Sequence, residues 1–138
     1  MSLSLGAVYG GPEHDKTSPS AARITRLMKR MAELQGDSAV GTGTGGSLNV
    51  VFHVPGSLIK PDYMGVRTAK FSRKNKMLMV QVAIPDELLR SPNLEGFLVA
   101  SIREAVCLAR PVFDKARIGF CVEEHLALVD RAEASLVH

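Results

Sequence analysis

The chain has 138 residues, of which 46% are hydrophobic and 22% charged, and its net charge is +3. A chain of this length is one ordinary domain and folds without a metal or disulfide staple. No apolar run approaches the roughly 20 residues that span a bilayer, and MSLSLGAVYGG lacks the features of a signal peptide. We therefore expect a single cytoplasmic domain over residues 1–138, with Cys107 and Cys121 as free, buried thiols.

The first third of the chain predicts a strand followed by a helix. LSLGAVYG is a short apolar run that ends at glycines, which indicates a strand at about residues 3–9. Ser18 followed by Pro19 is a typical helix start, because the serine oxygen caps free amides and proline fits the first turn. Apolar residues then recur at helical spacing up to Gly36, where we expect the helix to end.

A glycine-rich segment, GDSAVGTGTGGS, follows at residues 36–47 and is predicted to be a flexible loop. Gly41, Gly43 and Gly46 match the spacing G-x-G-x-x-G. A dinucleotide site needs these glycines after a strand and before a helix, so that the helix amides meet the pyrophosphate. Here they follow a helix and precede a strand, and we predict no cofactor site.

The middle of the chain predicts one strand and a hairpin. LNVVFHVP alternates, which puts Leu48, Val50, Phe52 and Val54 on one face. Residues 66–84 read VRTAKFSRKNKMLMVQVAI, two alternating arms around a polar turn. Ala69 and Phe71 face inward from the first arm, and the second arm has a clean apolar face, which comprises Leu78, Val80, Val82 and Ile84.

The last third predicts two helices. The first begins near Ser91 or Asn93, carries one apolar stripe and stops at Pro111; the stripe comprises Leu94, Phe97, Leu98, Ile102, Ala105, Val106 and Ala109. The segment PVFDKARIGFCV is interpreted as a connection, in which a short helical turn or strand stays an open alternative. VEEHLALVDRAEASL then predicts a final helix, with Val122, Leu126, Val129 and Ala132 inward.

The resulting order is β-α-β-β-β-α-α. Runs of strands beside helices, without strict βαβ alternation, are typical of α+β folds. We predict an antiparallel sheet of about four strands with two or three helices packed on it.

The sequence contains no pattern that predicts catalysis, a cofactor or a metal ion. The four histidines do not pair with other ligands at zinc-site spacing, and no catalytic motif or paired-carboxylate signature is found. His53 interrupts an apolar strand and is expected to be hydrogen-bonded within the sheet. His125 follows two glutamates and is expected to be solvated or locally paired. We therefore predict a protein that is not an enzyme.

Positive charge concentrates in the hairpin, which carries Arg67, Lys70, Arg73, Lys74 and Lys76. Arginines at 23, 26 and 30 line one face of the first helix. Two interpretations stay open. Nucleic-acid binding needs such cations beside exposed aromatic rings, whereas cations at a hairpin end also guard a sheet edge against pairing with another chain.

The second arm of the hairpin has an outer face that is only half polar, because Met77 and Met79 lie on it beside Gln81 and Ala83. Methionine is adaptable and common on recognition surfaces. This face is therefore expected to be covered, either by a helix of the same chain or by a partner.

Two segments carry a resemblance to a known group of proteins. GVRTAKFSRKNKMLMVQVAIP and the later FLVASIREAVCLARPVF resemble small bacterial immunity proteins of polymorphic-toxin and contact-dependent growth inhibition systems. The resemblance covers residues 48–130 and not the N-terminal third. It implies a non-catalytic cytosolic protein that binds a cognate toxin domain and blocks its active site. Immunity proteins against nucleases are often acidic, because they occupy a site built for phosphates. This chain is mildly basic, so a nuclease toxin is expected only if the acidic C-terminal third, with Glu123, Glu124, Asp130 and Glu133, does the blocking.

These observations give two hypotheses. The first is an immunity protein, whose partner-binding residues are predicted to be Arg67, Lys70, Arg73, Lys74, Lys76, Met77, Met79, Glu123 and Glu124. The alternative is a small nucleic-acid-binding protein that uses the basic hairpin at 67–76 and the arginines of the first helix. A third is an enzyme subunit or structural component that another chain completes.

Overall fold

The computed structural model describes residues 3–10, 17–36, 45–54 and 67–136. The predicted element order is confirmed. The elements are β1 (Leu3–Val8), α1 (Pro19–Gly36), β2 (Ser47–His53), β3 (Arg67–Ser72), β4 (Met77–Ala83), a short 3-10 helix (Asp86–Leu88), α2 (Leu94–Ala116) and α3 (Val122–Leu136). Most of the glycine-rich loop, residues 37–44, lies outside the described residues.

The four strands form one mixed sheet in the order β1-β2-β4-β3. The prediction of four strands and an α+β fold is confirmed, but the prediction of an antiparallel sheet is wrong. Strands β1, β2 and β4 run parallel, and only β3 is antiparallel to its neighbour β4. The reason is connectivity: α1 returns the chain so that β2 runs beside β1 in the same direction, and β4 inserts between β2 and β3.

The hydrophobic core lies between one face of the sheet and the helices. The predicted inward residues of β2 and β4 are all buried, from Leu48 to Val54 and from Leu78 to Ile84. Helices α1 and α2 pack on the sheet, and α3 packs on both of them. This places the three helices on one side, so the alternate strand residues face the other side.

The start of α1 forms as its sequence predicts. The Ser18 hydroxyl accepts a hydrogen bond from the Ala21 amide at 3.2 Å, which satisfies one of the free amides of the first turn. At the far end, the Gln35 side chain donates to the Leu3 carbonyl at 2.8 Å and accepts from the Leu3 amide at 3.1 Å. Gln35 thereby replaces a neighbouring strand at the first residue of β1.

The predicted stop of the second helix at Pro111 is wrong. Helix α2 continues to Ala116 and contains Pro111 in its interior. It ends where Arg117 adopts a left-handed conformation (φ 59°), with Arg117 N–H bonded to Asp114 and Ile118 N–H bonded to Phe113. These two bonds satisfy the last carbonyls of the helix. Burial of Phe113 and Ala116 beyond the proline explains why the helix persists.

The prediction that the cysteines are buried is also wrong, since both are free and exposed. Helical geometry explains Cys107: Ala105, Val106 and Ala109 face the core, which leaves Cys107 and Leu108 outward.

Candidate functional site

The polar turn of the hairpin is a defined and solvated structure. Residues Arg73, Lys74, Asn75 and Lys76 are all exposed. The Asn75 amide donates to the Ser72 hydroxyl at 3.2 Å, and the Lys76 amide donates to the Arg73 carbonyl at 3.3 Å. Lys76 has a positive φ of 51°, which lets the chain turn into β4. The turn therefore holds three cations in solvent at one end of the sheet.

We call the side of the sheet away from the helices the open face. Apart from Lys70 and the buried His53, its residues are small, hydroxyl, amide or apolar: Ser4, Gly6, Val8, Ser47, Asn49, Val51, Thr68, Ser72, Met77, Met79, Gln81 and Ala83. Within these described strands, Lys70 is the single formally charged side chain of the open face. A four-stranded surface with so little charge is unusual for a chain that is 22% charged.

Met77 and Met79 lie on this open face, as the alternation predicts. Met79 stands opposite Lys70 on β3 and beside Asn49 on β2. Both methionines are half-buried. The structure thus brings Met77, Met79 and Lys70 together, with the basic turn at the end of the same strands. Arg67 begins β3 at the sheet edge, and its side chain lies outside the described part of the structure.

The two predicted acidic residues lie elsewhere. Glu123 and Glu124 form the first turn of α3, in the helix layer on the other side of the sheet. Glu123 accepts a hydrogen bond from Arg110 of α2, and this contact lowers the pKa of the Glu123 carboxyl. The structure therefore does not join these glutamates to the methionines in one site.

Two of the three arginines of the first helix serve the packing of the helices. Arg23 forms a two-pronged pair with Glu95 of α2, which raises the pKa of Arg23 and lowers that of Glu95. Arg30 donates to the Ser135 hydroxyl of α3 at 3.2 Å. These contacts occupy cations that the nucleic-acid alternative requires.

A row of rings leads from the hairpin into the helix layer. Phe71 meets Phe113 edge to face with centroids 5.8 Å apart, and Phe113 stacks on Phe120 at 4.9 Å. Phe120 in turn stacks on the His125 ring at 4.2 Å. The prediction that Phe71 belongs to the core is only half right, because its side faces the helices but 38% of it is exposed.

His125 is buried and locally paired, so of the two expected states, solvated or locally paired, the structure shows the second. It is 3% exposed. Its Nδ1 lies 2.6 Å from the Cys121 carbonyl, which only accepts, so Nδ1 carries the proton. Burial lowers the pKa of His125 from its ordinary 6.5 and lowers that of His53 as well.

This burial predicts how stability depends on pH. Above about pH 6.5 His125 is neutral in both the folded and the unfolded chain; below it, the unfolded chain binds the proton first. The free energy of unfolding is therefore expected to fall as the pH drops below that value. His125→Phe keeps a ring on Phe120 and removes the titration, so its free energy of unfolding should fall less between about pH 7.5 and about pH 5.5.

Urea unfolding at the two pH values measures this difference. His53 remains in the His125→Phe variant and should preserve part of the pH dependence. An unchanged pH dependence in His125→Phe would show that His125 binds its proton equally well in the folded chain.

The end of the glycine-rich loop has a packing role. Gly45 and Gly46 lie against the junction of α2 and α3, where the Gly46 amide donates to the Gly119 carbonyl at 2.7 Å. A Cβ at Gly45 would approach the Gly119 oxygen to 2.5 Å, and one at Gly46 would overlap the Phe113 ring. Close approach of the Gly119 backbone at Gly45 and of the Phe113 ring at Gly46 thus explains why glycines are used at these positions.

The described residues lack two features that would indicate a function. They contain no group of three or more His, Cys, Asp or Glu side chains arranged to hold a metal ion. Within the same ranges, none of the helices combines the length and the apolar character that a membrane span requires. Comparison of this chain with protein-family models, with curated proteins and with solved structures finds no match.

Proposed function

We propose that this chain is a non-catalytic protein-binding module that uses the open face, and that it acts in the cytoplasm as an immunity protein against a bacterial toxin domain. The observation that carries the proposal is the composition of the open face, which is nearly free of charge within the described strands and has Met77 and Met79 on a central strand. Cores of protein interfaces are depleted in charged residues and enriched in methionine.

The size of the open face supports a partner that also reaches its rim. Four strands of about six residues span about 20 Å in each direction, or about 400 Å² in projection. A stable interface buries about 800 Å² per partner. The exposed cations Arg73, Lys74 and Lys76 border the face at the turn. They are suited to steer an acidic rim of the partner toward it.

The immunity function rests on the resemblance of residues 48–130, and the open face is the surface that we assign to it. Glu123 is held by Arg110 in the helix layer. Blocking of a phosphate-binding site by these glutamates therefore receives no support from the geometry. A toxin domain with an acidic surface around an uncharged patch fits the open face and its basic rim better.

Co-expression with the product of the adjacent upstream gene tests the proposal. We expect the two proteins to elute together and the host cells to survive the toxin. Met79→Glu should weaken the complex by about thirtyfold, because a charge in a desolvated interface costs roughly 2 kcal/mol. Ala127→Glu, an exposed position on α3, is the matched control and should leave the affinity unchanged.

Isothermal titration calorimetry gives the affinities, and thermal unfolding shows that both variants are folded. Equal affinities for Met79→Glu and Ala127→Glu would exclude the open face as the interface. A toxic neighbour that neither binds nor is neutralised would refute the immunity function itself.

One observation favours nucleic-acid binding as a second candidate. Phe71 exposes 38% of its side chain just before the turn that carries Arg73, Lys74 and Lys76, which is the pairing of ring and cation that single strands recognise. This function predicts binding that weakens steeply with salt and that Arg73→Ala with Lys74→Ala reduces for every sequence alike. Absence of binding to a fluorescent single strand at low salt would remove it.

A further inference from the structure

The direction of the strands indicates what kind of element can cover the open face. Strands β1, β2 and β4 run parallel, and the described helices all pack on the other face of the sheet. Parallel strands occur almost only in sheets that helices cover on both faces. Within the described residues, the open face lacks this second layer of helices, although the outward residues of β2 and β4 are partly apolar.

The side chains of the open face form a shallow channel along β1 and β2. Ser4 and Gly6 on β1 and Asn49 on β2 are short. Met77 and Met79 on the neighbouring strand β4 are long and half-buried. Adjacent strands lie about 4.8 Å apart, and a helix is about 10 Å wide. One helix therefore fits over β1 and β2, with the two methionines along its side.

The amino halves of β2 and β4 are the best-defined part of this channel. The described residues on either side of the undescribed residues 55–66 lie at the carboxyl ends of β2 and β4. Those on either side of residues 37–44 lie on the helix side, at the end of α1 and against Gly119. We therefore centre the site on Asn49 and Met79.

The basic turn lies at the amino end of the same channel. The Ser47 N–H donates to the Lys76 carbonyl at 2.8 Å, which fixes the turn beside the first residue of β2. Arg73, Lys74 and Lys76 are all exposed there. The free carbonyls at the carboxyl end of a helix carry partial negative charge. A helix that runs antiparallel to β2 places these carbonyls at the three cations.

The same direction follows from the architecture of parallel sheets. A helix that connects two parallel strands runs antiparallel to them, because it returns the chain to the end at which the first strand began. Charge and packing therefore favour one orientation of a helix on the open face.

We propose that the partner covers the open face with an amphipathic helix of about 13 residues, which runs antiparallel to β2 and has its carboxyl end at the basic turn. A helix of this length spans about 20 Å, the length of these strands. Its stripe of large apolar side chains packs in the channel beside Met79. The inference rests on the proposed function and deepens it, since it names the element of the toxin domain that this chain binds.

Photo-crosslinking from both ends of the channel tests the position and the direction of this helix. Lys74 is exposed in the basic turn, and Val8 is 42% exposed at the carboxyl end of β1. Lys74→Cys and Val8→Cys are made singly in a chain that also carries Cys107→Ser and Cys121→Ser. A benzophenone maleimide on the single thiol is irradiated in the complex with the upstream gene product, and mass spectrometry locates the adducts in that protein.

We expect both thiols to attach to one continuous segment of the partner, about 13 residues long. Adducts from Lys74→Cys should fall in its carboxyl half and those from Val8→Cys in its amino half. Lys74→Ala should weaken the complex about threefold, because a cation near the carboxyl end of a helix contributes a modest stabilisation. Lys115→Ala, at an exposed position of α2, is the matched control and should leave the affinity unchanged.

A glutamate scan of that segment in the full-length partner distinguishes a helix from a strand. Glutamate at a position that faces Met79 should weaken binding about thirtyfold, because a charge then lies in a desolvated interface. The strongly affected positions should recur every three or four residues, whereas a strand gives every second residue. Circular dichroism shows that each variant folds.

Three results would overturn the inference. A period of two in the glutamate scan would show that a strand of the partner lies on the open face. Adducts in the reverse order would show that the helix runs in the other direction. Adducts on separate segments of the partner, or on this chain or a second copy of it, would exclude a single partner helix.

The Met79→Glu and Ala127→Glu variants separate this inference from the proposed function. A complex that Met79→Glu weakens, but that gives any of these three results, refutes the inference alone. Failure to form a complex refutes the proposed function, and equal affinities of Met79→Glu and Ala127→Glu refute its use of the open face.

Discussion

Gly46→Ala is expected to lower the free energy of unfolding by about 2–3 kcal/mol, the cost of overpacking a filled core. A Cβ at this position would lie 2.8 Å from Cδ1 and Cζ of Phe113, well inside van der Waals contact. Phe113 is only 1% exposed and stacks on Phe120, so its ring has little room to move. The hydrogen bond that the Gly46 N–H donates to the Gly119 carbonyl holds the backbone in place as well.

Three further variants make this prediction specific. Gly96→Ala in α2 meets no atom within 4 Å and should stabilise the chain by up to about 1 kcal/mol, because alanine is the better helix former. Phe113→Leu removes the ring edge, so the double variant Gly46→Ala with Phe113→Leu should lose at least about 0.5 kcal/mol less than the sum of the single losses. Urea unfolding of the wild type and of the four variants measures the stabilisation by Gly96→Ala and the non-additivity of Gly46→Ala with Phe113→Leu. Strict additivity would show that the ring does not cause the strain.

Pro111→Ala is expected to raise the free energy of unfolding by about 1–3 kcal/mol, an effect of opposite sign. Proline inside a helix cannot donate to the carbonyl four residues earlier, here that of Cys107, and its ring crowds that turn. Pro111 is exposed, so alanine sacrifices little packing. Alanine also has more freedom in the unfolded chain, which offsets part of the gain.

Pro92→Ala is the matched control. Pro92 is exposed and precedes α2, where it interrupts no helix. Its replacement should lower the free energy of unfolding by at most about 1 kcal/mol, because the unfolded chain gains conformational freedom when proline is removed. Thermal and urea unfolding give the change in the free energy of unfolding for Pro111→Ala and for Pro92→Ala. A loss of stability in Pro111→Ala would mean that a bend at the proline is needed for the packing of Phe113 and Ala116.

Burial of apolar side chains was predictable because it follows local periodicity. Alternation along β2 and β4 assigned Leu48, Val80 and their companions to the core, and the structure buries them. The capping of α1 by Ser18 was equally local, since the hydroxyl bonds an amide three residues away. Each of these features depends on residues close together in the chain, and so the sequence predicts it.

Strand direction was not predictable in this way. Alternation has the same form in parallel and antiparallel strands, and β4 joins β2 only because β3 lies outside it. One feature of the sequence did indicate parallel strands. Both faces of the central strands are partly apolar, as parallel strands usually are, because Val51, Met77 and Met79 lie on the face opposite the core. Helix α2 passes Pro111 for a related reason, since the buried Phe113 lies in the tertiary core.

The sequence by itself determined the element order, the core-facing sides of the strands, and the placement of Met77 and Met79 opposite the core. Only the tertiary structure decided which distant residues meet. It paired Arg23 with Glu95 and Glu123 with Arg110, set Phe71 against Phe113, and separated the glutamates from the methionines. The physical reason is that periodicity fixes the direction of a side chain, whereas its partner is set by the packing of elements far apart in the chain.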